Sequence, residues 1–142
     1  MSEESVRGVV VAHGEMANGL IDAVAHIAGA SVREFLTPLS NRGLGPEALA
    51  QEVRAATGAA PTIIFTDLQS GSCGFAARRC VQDNARIIVV SGVNLPILLE
   101  FVMRRELPIE QLVPFLLNRG RSAINCSPAN FETNEHRAVS GG

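Results

Sequence analysis

Short apolar runs alternate with segments of helical periodicity along most of the chain. The runs are typical of β-strands, and they fall at Gly8–Ala12, Val32–Leu36, Thr62–Thr66 and Arg86–Val90. Apolar residues spaced three and four apart predict helices over 16–28, from Pro46 to a stop at Gly58, around Ala76–Val81, from an Asn94 cap to Met103, and onward from Pro108. Pro114 inside the last helix predicts a kink or a split.

This alternation predicts an α/β domain with a doubly wound, mainly parallel sheet and helices on both faces. Ligands of such sheets bind at the carboxyl ends of the strands, so the residues after Ala12, Thr66 and Val90 are the candidates for a site. We expect one domain over residues 1–125. Residues 126–142 are polar and aperiodic, which indicates a tail or an arm against a partner subunit.

Two of these strand ends carry residues suited to acid–base or transfer chemistry. His13-Gly14 follows the first strand directly, and imidazole is largely neutral near pH 7, so that one ring nitrogen can act as a nucleophile. Asp67 follows the third strand, where a carboxylate can fix the tautomer of a neighbouring imidazole. The segment Ser70-Gly71-Ser72 then opens a helix, and its amides and the Ser72 hydroxyl suit an anion.

Each of these residues also has an ordinary structural interpretation. A single histidine is more often structural than catalytic, and Asp67 could cap the following turn. His26 lies off the apolar stripe of its helix and His136 lies in the tail, so neither receives a role. The combination of a histidine, an orienting carboxylate and an anion-binding turn carries the functional hypothesis.

Composition removes several classes of function. The net charge of −2 gives no reason to expect nucleic acid or an acidic membrane surface as a partner. All 12 basic residues are arginine, and the missing lysine excludes a P-loop and Schiff-base chemistry. The three cysteines and three histidines lack metal-ligand spacing, so no metal site is predicted. No apolar stretch approaches the roughly 20 residues of a membrane span, and the acidic start lacks the basic region of a secretory signal.

Three motifs follow one another along the chain. They are the stretch from Val9 to Gly14 followed by Gly19-Leu20, the stretch Phe65-Thr66-Asp67-Leu68 with Gly71-Ser72 and Ala76-Ala77, and the stretch from Ser91 to Pro96 followed by Leu98-Leu99-Glu100. In this order they resemble the IIA components of the mannose/fructose/sorbose class of the bacterial phosphoenolpyruvate-dependent sugar phosphotransferase system, and the similarity spans about residues 6–124.

The resemblance implies a phosphocarrier with strand order 2-1-3-4 and His13 beside Asp67. His13 would accept a phosphoryl group from the phosphohistidine carrier HPr and pass it to a separate IIB component, acting only indirectly on the IIC and IID membrane components. Asp67 would orient the ring, and Ser70, Gly71 and Ser72 would hold the phosphoryl oxygens. The resemblance implies no cofactor, since donor and acceptor are both histidines. It also implies a cytoplasmic homodimer, with a C-terminal edge strand exchanged between subunits and a place at the inner face of the membrane through the transporter complex.

The chain departs from the family's pattern at three positions after Asp67. Ser70 replaces the first glycine of a Gly-Gly-Ser-Pro turn, Cys73 replaces its proline, and Phe75 replaces an asparagine. Both Cys73 and Phe75 are expected at the rim of the site. Phe75 either anchors a partner there or turns into the core.

Three other interpretations remain open from the sequence. The chain could be a regulatory phosphocarrier that serves no transport, or the phosphotransfer subunit of a dihydroxyacetone kinase. It could also be a flavodoxin-like binding module with a degenerate site. A receiver domain is excluded, because that class needs an acidic cluster after the first strand and a lysine.

Overall fold

The computed structural model describes residues 5–133, which form four strands and five α-helices. In chain order they are β1 (Arg7–Ala12), α1 (Met16–Ala28), β2 (Leu36–Ser40), α2 (Pro46–Thr57), β3 (Thr62–Thr66), α3 (Gly71–Asp83), β4 (Ile87–Ser91), α4 (Leu95–Arg104) and α5 (Ile109–Ser122). Two short 3-10 helices occupy Ala30–Glu34 and Ala129–Glu132. The predicted alternation of strands and helices is confirmed.

The four strands form one parallel sheet in the order β2-β1-β3-β4. β1 therefore lies between β2 and β3, and Val11 pairs with Leu39 on one side and Thr66 on the other. This is the strand order that the resemblance implies, and the α/β fold is confirmed. The carboxyl ends of β1, β2 and β3 consequently meet at one edge of the sheet.

Successive residues of the strands point to opposite faces and build two separate cores. In β1, Val10 and Ala12 belong to a core shared with α1, α4 and α5, whereas Val9 and Val11 belong to a core shared with α2 and α3. All four side chains are almost completely buried. The sheet is thus covered on both faces, as the apolar run in β1 predicts.

The α4 helix rests on the sheet through an aromatic contact. Phe101 meets Phe65 edge-on, with 5.4 Å between ring centroids. A Cβ atom at Gly8 would lie 2.7 Å from Leu36 Cδ1 and 3.0 Å from Phe101 Cε2. The missing side chain at Gly8 therefore makes room for the ring against β1.

The prediction of a strand over Val32–Leu36 is wrong. Residues Ala30–Glu34 form a 3-10 helix, and β2 begins only at Leu36. Val32 is buried all the same, because the 3-10 turn places it in the core beside α1. Pro38 is tolerated within β2 because, among residues 5–133, this strand lies at the edge of the sheet and pairs with β1 alone.

Pro114 does not split the last helix, since α5 runs without a break from Ile109 to Ser122. Glu110, whose carbonyl loses its helical hydrogen bond to Pro114, is exposed, so water can solvate that carbonyl. Three large apolar residues within the predicted helices are exposed, and each lies in the last turn of its helix: Ile27, Val81 and Met103.

Only residues 126–133 of the polar C-terminal segment lie within the described part of the chain. Residues after Ser122 include the 3-10 turn Ala129–Glu132, where the Glu132 carboxylate accepts a hydrogen bond from the Cys126 amide at 2.9 Å. Residues 134–142 lie outside the described residues, and so does most of the tail predicted over 126–142. An exchanged strand and a domain boundary at residue 125 remain predictions.

Candidate active site

Three loops converge where the central strands end. β1 is followed by His13, β3 by Asp67, and β2 by Asn41, while α3 begins four residues after Asp67. The parallel order β2-β1-β3 places these loops side by side, with His13 in the middle. This is the position at which parallel sheets bind ligands.

Asp67 holds the imidazole of His13 in one orientation. Its Oδ2 lies 2.8 Å from His13 Nδ1 and also accepts the His13 backbone N–H at 2.9 Å. Its Oδ1 accepts the Leu68 N–H at 2.9 Å. Because an ionised carboxylate can only accept, Nδ1 carries a proton, and in the neutral ring this tautomer leaves the lone pair on Nε2. The predicted pairing of His13 with Asp67 is thus present in the geometry.

The environment of Asp67 favours its charged form. Burial works to raise the pKa of this carboxyl group, but the hydrogen bonds from the His13 amide and ring, with the Coulombic interaction of that ring, lower it below its ordinary value of 3.8. The side chain of Asp67 is 9% exposed and that of His13 is 44% exposed. The carboxylate is therefore sheltered while the ring remains open to another molecule.

The start of α3 lies against the open side of the ring. A Cβ atom at Gly71 would be 3.6 Å from His13 Cε1 and 3.7 Å from Nε2, so the Gly71 backbone lies beside the free nitrogen. Gly71 also has a φ of +85°, which favours glycine. The first amides of a helix lack intrahelical acceptors and attract anions. Ser70 occupies the N-cap position without a capping bond, and the half-buried Ser72 follows Gly71.

Cys73 is not at the rim, contrary to expectation. It is completely buried in the core beneath α3, and its Sγ lies 3.8 Å from His13 Nδ1. Burial, with the negative charge of Asp67, raises the pKa of the thiol to about 11, although a hydrogen bond with Ser72 opposes this. Ligand atoms of His13, Asp67 and Cys73 lie within 4.8 Å of one another. Within this group, His13 Nδ1 and Asp67 Oδ2 are hydrogen-bonded to each other, so Nδ1 carries a proton rather than a lone pair for a metal.

Phe75 is on the surface, which excludes the interpretation that it fills the core. It is 40% exposed, and the Arg79 guanidinium lies over its ring at 5.6 Å from the centroid. Met16 and Leu68, on the segments that follow His13 and Asp67, are 42% and 54% exposed. Exposed apolar side chains therefore lie after His13, after Asp67 and on α3.

Sequence reasoning missed the loop after β2. Asn41 Oδ1 accepts the Gly14 N–H at 3.2 Å, and Asn41 Nδ2 donates to Ser72 Oγ at 3.3 Å. Ser40 Oγ donates to the Gly14 carbonyl at 2.7 Å. Because the strand was predicted to end at Leu36, its carboxyl end fell four residues too early and the loop was not considered. Pro38, which sheets accept in edge strands, and Asn41, which favours a turn, could have marked the true strand and its end.

The end of β4 is the third strand end that the sequence marks as a candidate for the site. It supports the neighbouring strand β3 and places no side chain beside His13. Ser91 Oγ accepts a hydrogen bond from Thr66 Oγ1 at 3.0 Å, and the Thr66 carbonyl accepts the N–H groups of Gly92 and Val93. β4 is separated from β1 by β3, so these contacts brace the end of β3 just before Asp67.

The fold and this edge of the sheet correspond to a known family. Residues 8–113 match the model of the PTS system fructose IIA component, and the chain belongs to this family. It is therefore a phosphocarrier component of a sugar phosphotransferase system. No curated protein matches the chain. Among residues 5–133, no helix combines the length and the apolar character required to cross a membrane.

Several solved structures share the fold at low sequence identity. The phosphotransferase system component EIIA from Streptococcus agalactiae has a TM-score of 0.80 and 21% identity, covering 87% of this chain and 98% of that one. The mannose/sorbose-specific IIA subunit from Enterococcus faecalis has a TM-score of 0.75 and 21% identity, covering 89% and 95%. The IIA protein associated with the fucose utilization operon of Streptococcus pneumoniae has a TM-score of 0.66 and 21% identity, covering 88% and 96%.

Proposed function

We propose that His13 accepts a phosphoryl group from the phosphohistidine of HPr and passes it to a separate IIB component. The observation that carries this proposal is the orientation of the ring. Nδ1 is held by Asp67, and the free Nε2 faces the Gly71 backbone at the start of α3. A nucleophile and an anion-binding helix start therefore face the same small space.

The transfer proceeds by attack of the Nε2 lone pair on the phosphorus of the donor phosphohistidine. A nitrogen–phosphorus bond forms at His13 as the donor's bond breaks, and the donor imidazole leaves with the bonding electron pair. The His13 ring then carries a positive charge, which the Asp67 carboxylate stabilises. Transfer to IIB is the same exchange with His13 as the leaving group. No metal or nucleotide takes part in either step.

The start of α3 stabilises the phosphoryl oxygens during this exchange. Phosphoryl transfer depends mainly on positioning and on charge stabilisation around the oxygens of the transferred group. Ser70, Gly71 and Ser72 supply backbone N–H groups and hydroxyls at the helix terminus, where the helix dipole also favours negative charge. The exposed side chains Met16, Leu68 and Phe75 form an apolar rim suited to partner docking.

The test is phosphorylation with labelled phosphoenolpyruvate, Enzyme I and HPr, followed by transfer to a IIB protein. Wild-type protein should acquire an acid-labile label on His13, and His13→Ala should acquire none while keeping its circular dichroism spectrum. His26→Ala is the matched control, because His26 is exposed on α1 and should be dispensable. Label that persists in His13→Ala, on His26 or His136, would overturn the assignment.

We propose further that the protein is cytoplasmic and forms a homodimer. It would lie at the inner face of the membrane only through its transporter partners. Within residues 5–133, β4 pairs with β3 alone, so its outer edge is open to another strand. The tail after residue 125 is the segment that would cross to the other subunit. Light scattering at micromolar concentration should give about twice the chain mass of 15.0 kDa. A monomer mass across that range would contradict the proposal.

A further inference from the structure

Asn41 joins the two loops that meet at the histidine. The side chain lies after β2, is half-buried, and makes one hydrogen bond to each neighbouring loop. Its Oδ1 accepts the Gly14 N–H at 3.2 Å, one residue after His13. Its Nδ2 lies 3.3 Å from Ser72 Oγ, in the first turn of α3. It is thus tied both to the segment that carries the nucleophile and to the segment that faces Nε2.

The orientation of the Asn41 amide follows from its partners. The Gly14 N–H can only donate, so the amide oxygen must face it and the NH₂ group must face Ser72. Ser72 Oγ consequently acts as the acceptor toward Asn41 and keeps its own proton for another acceptor. The Ser72 hydroxyl interacts with the Cys73 thiol, which is a weak acceptor. A phosphoryl oxygen is a far stronger acceptor for the same proton.

We propose that Asn41 is a positioning residue for phosphoryl transfer, which fixes Ser72 Oγ as an acceptor so that its proton is donated to the phosphoryl group on His13. This inference rests on the proposed function of His13. Asn41 acts through Ser72 and does not touch the reacting atoms. Its second bond, to Gly14, keeps Ser72 in register with the loop that carries the ring.

The fold has other supports at this position, so Asn41 can be changed without losing the loop. Ser40 Oγ donates to the Gly14 carbonyl at 2.7 Å and accepts the Arg42 N–H at 3.0 Å. The Asn41 N–H donates to the Ala12 carbonyl through the backbone, independently of the side chain. Side-chain variants of Asn41 should therefore fold with the native loop path.

The informative variant is Asn41→Asp. The carboxylate still accepts the Gly14 N–H, but it replaces the NH₂ donor with an acceptor that takes the Ser72 proton for itself. Transfer from phospho-HPr should slow by about 10- to 100-fold, which is less than the roughly 100- to 1,000-fold loss that follows removal of a preorganised donor, because the Ser72 hydroxyl itself stays in place. The loss should appear in kcat, with KM for phospho-HPr unchanged. Asn118→Asp is the matched control, because it adds the same charge at an exposed asparagine of α5, a helix that carries no residue of the site, and should leave transfer unchanged.

A double-mutant cycle tests whether Asn41 acts through Ser72. Asn41→Ala and Ser72→Ala should each slow transfer, and the double variant should be no slower than Ser72→Ala alone. Multiplying effects would overturn the proposal, as would Asn41→Asp transferring at the wild-type rate. Melting curves of all variants exclude unfolding as the cause. If HPr fails to label wild-type protein at His13, the proposed function itself fails. If wild type is labelled and Asn41→Asp matches it, only the role of Asn41 fails.

Discussion

Gly71 offers a direct test of where the phosphoryl group lies. Its φ of +85° is nearly matched by the +82° of Gly92, and a Cβ atom at Gly92 would meet nothing within 4 Å. At Gly71 the same atom would lie 3.7 Å from His13 Nε2. Substitution with alanine therefore forces a similar positive φ on the new residue at both positions, while only Gly71→Ala places a methyl group beside His13 Nε2.

The two variants should lose similar stability and differ in transfer. Forcing alanine into this backbone region costs about 1–2 kcal/mol, which corresponds to a fall in melting temperature of about 2–8 °C for a chain of this size. A methyl group 3.7 Å from Nε2 leaves the unphosphorylated ring undisturbed but occupies space needed by the phosphoryl oxygens. A displacement of that group by about 1 Å lowers the rate about 100-fold. Gly92→Ala should transfer at the wild-type rate.

The assay is rapid-quench measurement of label passing from phospho-HPr to each variant, at a temperature where both remain folded. Slow transfer by Gly71→Ala beside normal transfer by Gly92→Ala places the oxygens at the start of α3. Transfer at the wild-type rate by both variants would refute that placement, and with it the assignment of Ser70, Gly71 and Ser72 to phosphoryl binding. A loss of activity in both would point to the backbone strain alone.

Two further predictions concern Asp67 and Phe75. Asp67→Asn should fold and transfer more slowly, by less than the roughly 10⁴-fold loss of the corresponding serine-protease change, because histidine acts there as a base. The pKa of Asp67 is lowered in the folded protein, so its ionised form stabilises the fold above pH 3.8. This stabilisation is lost as the pH falls further and the carboxylate takes up a proton. The unfolding free energies of wild type and Asp67→Asn should therefore converge in acid. A constant difference across that range would show that the charge contributes nothing. Phe75→Asn should change stability by less than about 0.5 kcal/mol and alter the preference among HPr and IIB proteins; unchanged transfer to every partner would contradict an anchoring role.

Local patterns sufficed for the elements that carry His13 and Asp67. The apolar run ending at Ala12 and the β-branched run ending at Thr66 each place a polar residue directly after a buried strand. The parallel order then brings His13 and Asp67 together at 2.8 Å. The pairing is predictable because a strand fixes the position of the residue that follows it.

The loop after β2 could not be found in the same way. Val32 is β-branched and buried, which made its segment look like a strand, whereas the real strand contains Pro38 and polar residues. Asn41 is 27 residues from Gly14 and 31 from Ser72 in the chain, so no local spacing signals its two bonds. Burial of Cys73 likewise depends on the rotation of α3 about its own axis where it packs on the sheet. Such features follow from tertiary packing, which a single sequence does not display.

The two cores of the sheet divide the site between them. The loop that carries His13 continues into α1, which packs on one face, whereas α3 packs on the other. The three departures from the family's pattern, Ser70, Cys73 and Phe75, all belong to the start of α3. Substitutions at this turn can therefore accumulate in one layer of the fold, without repacking the core between β1 and α1 that supports the loop of His13. The two sides of the site can thus vary independently of each other.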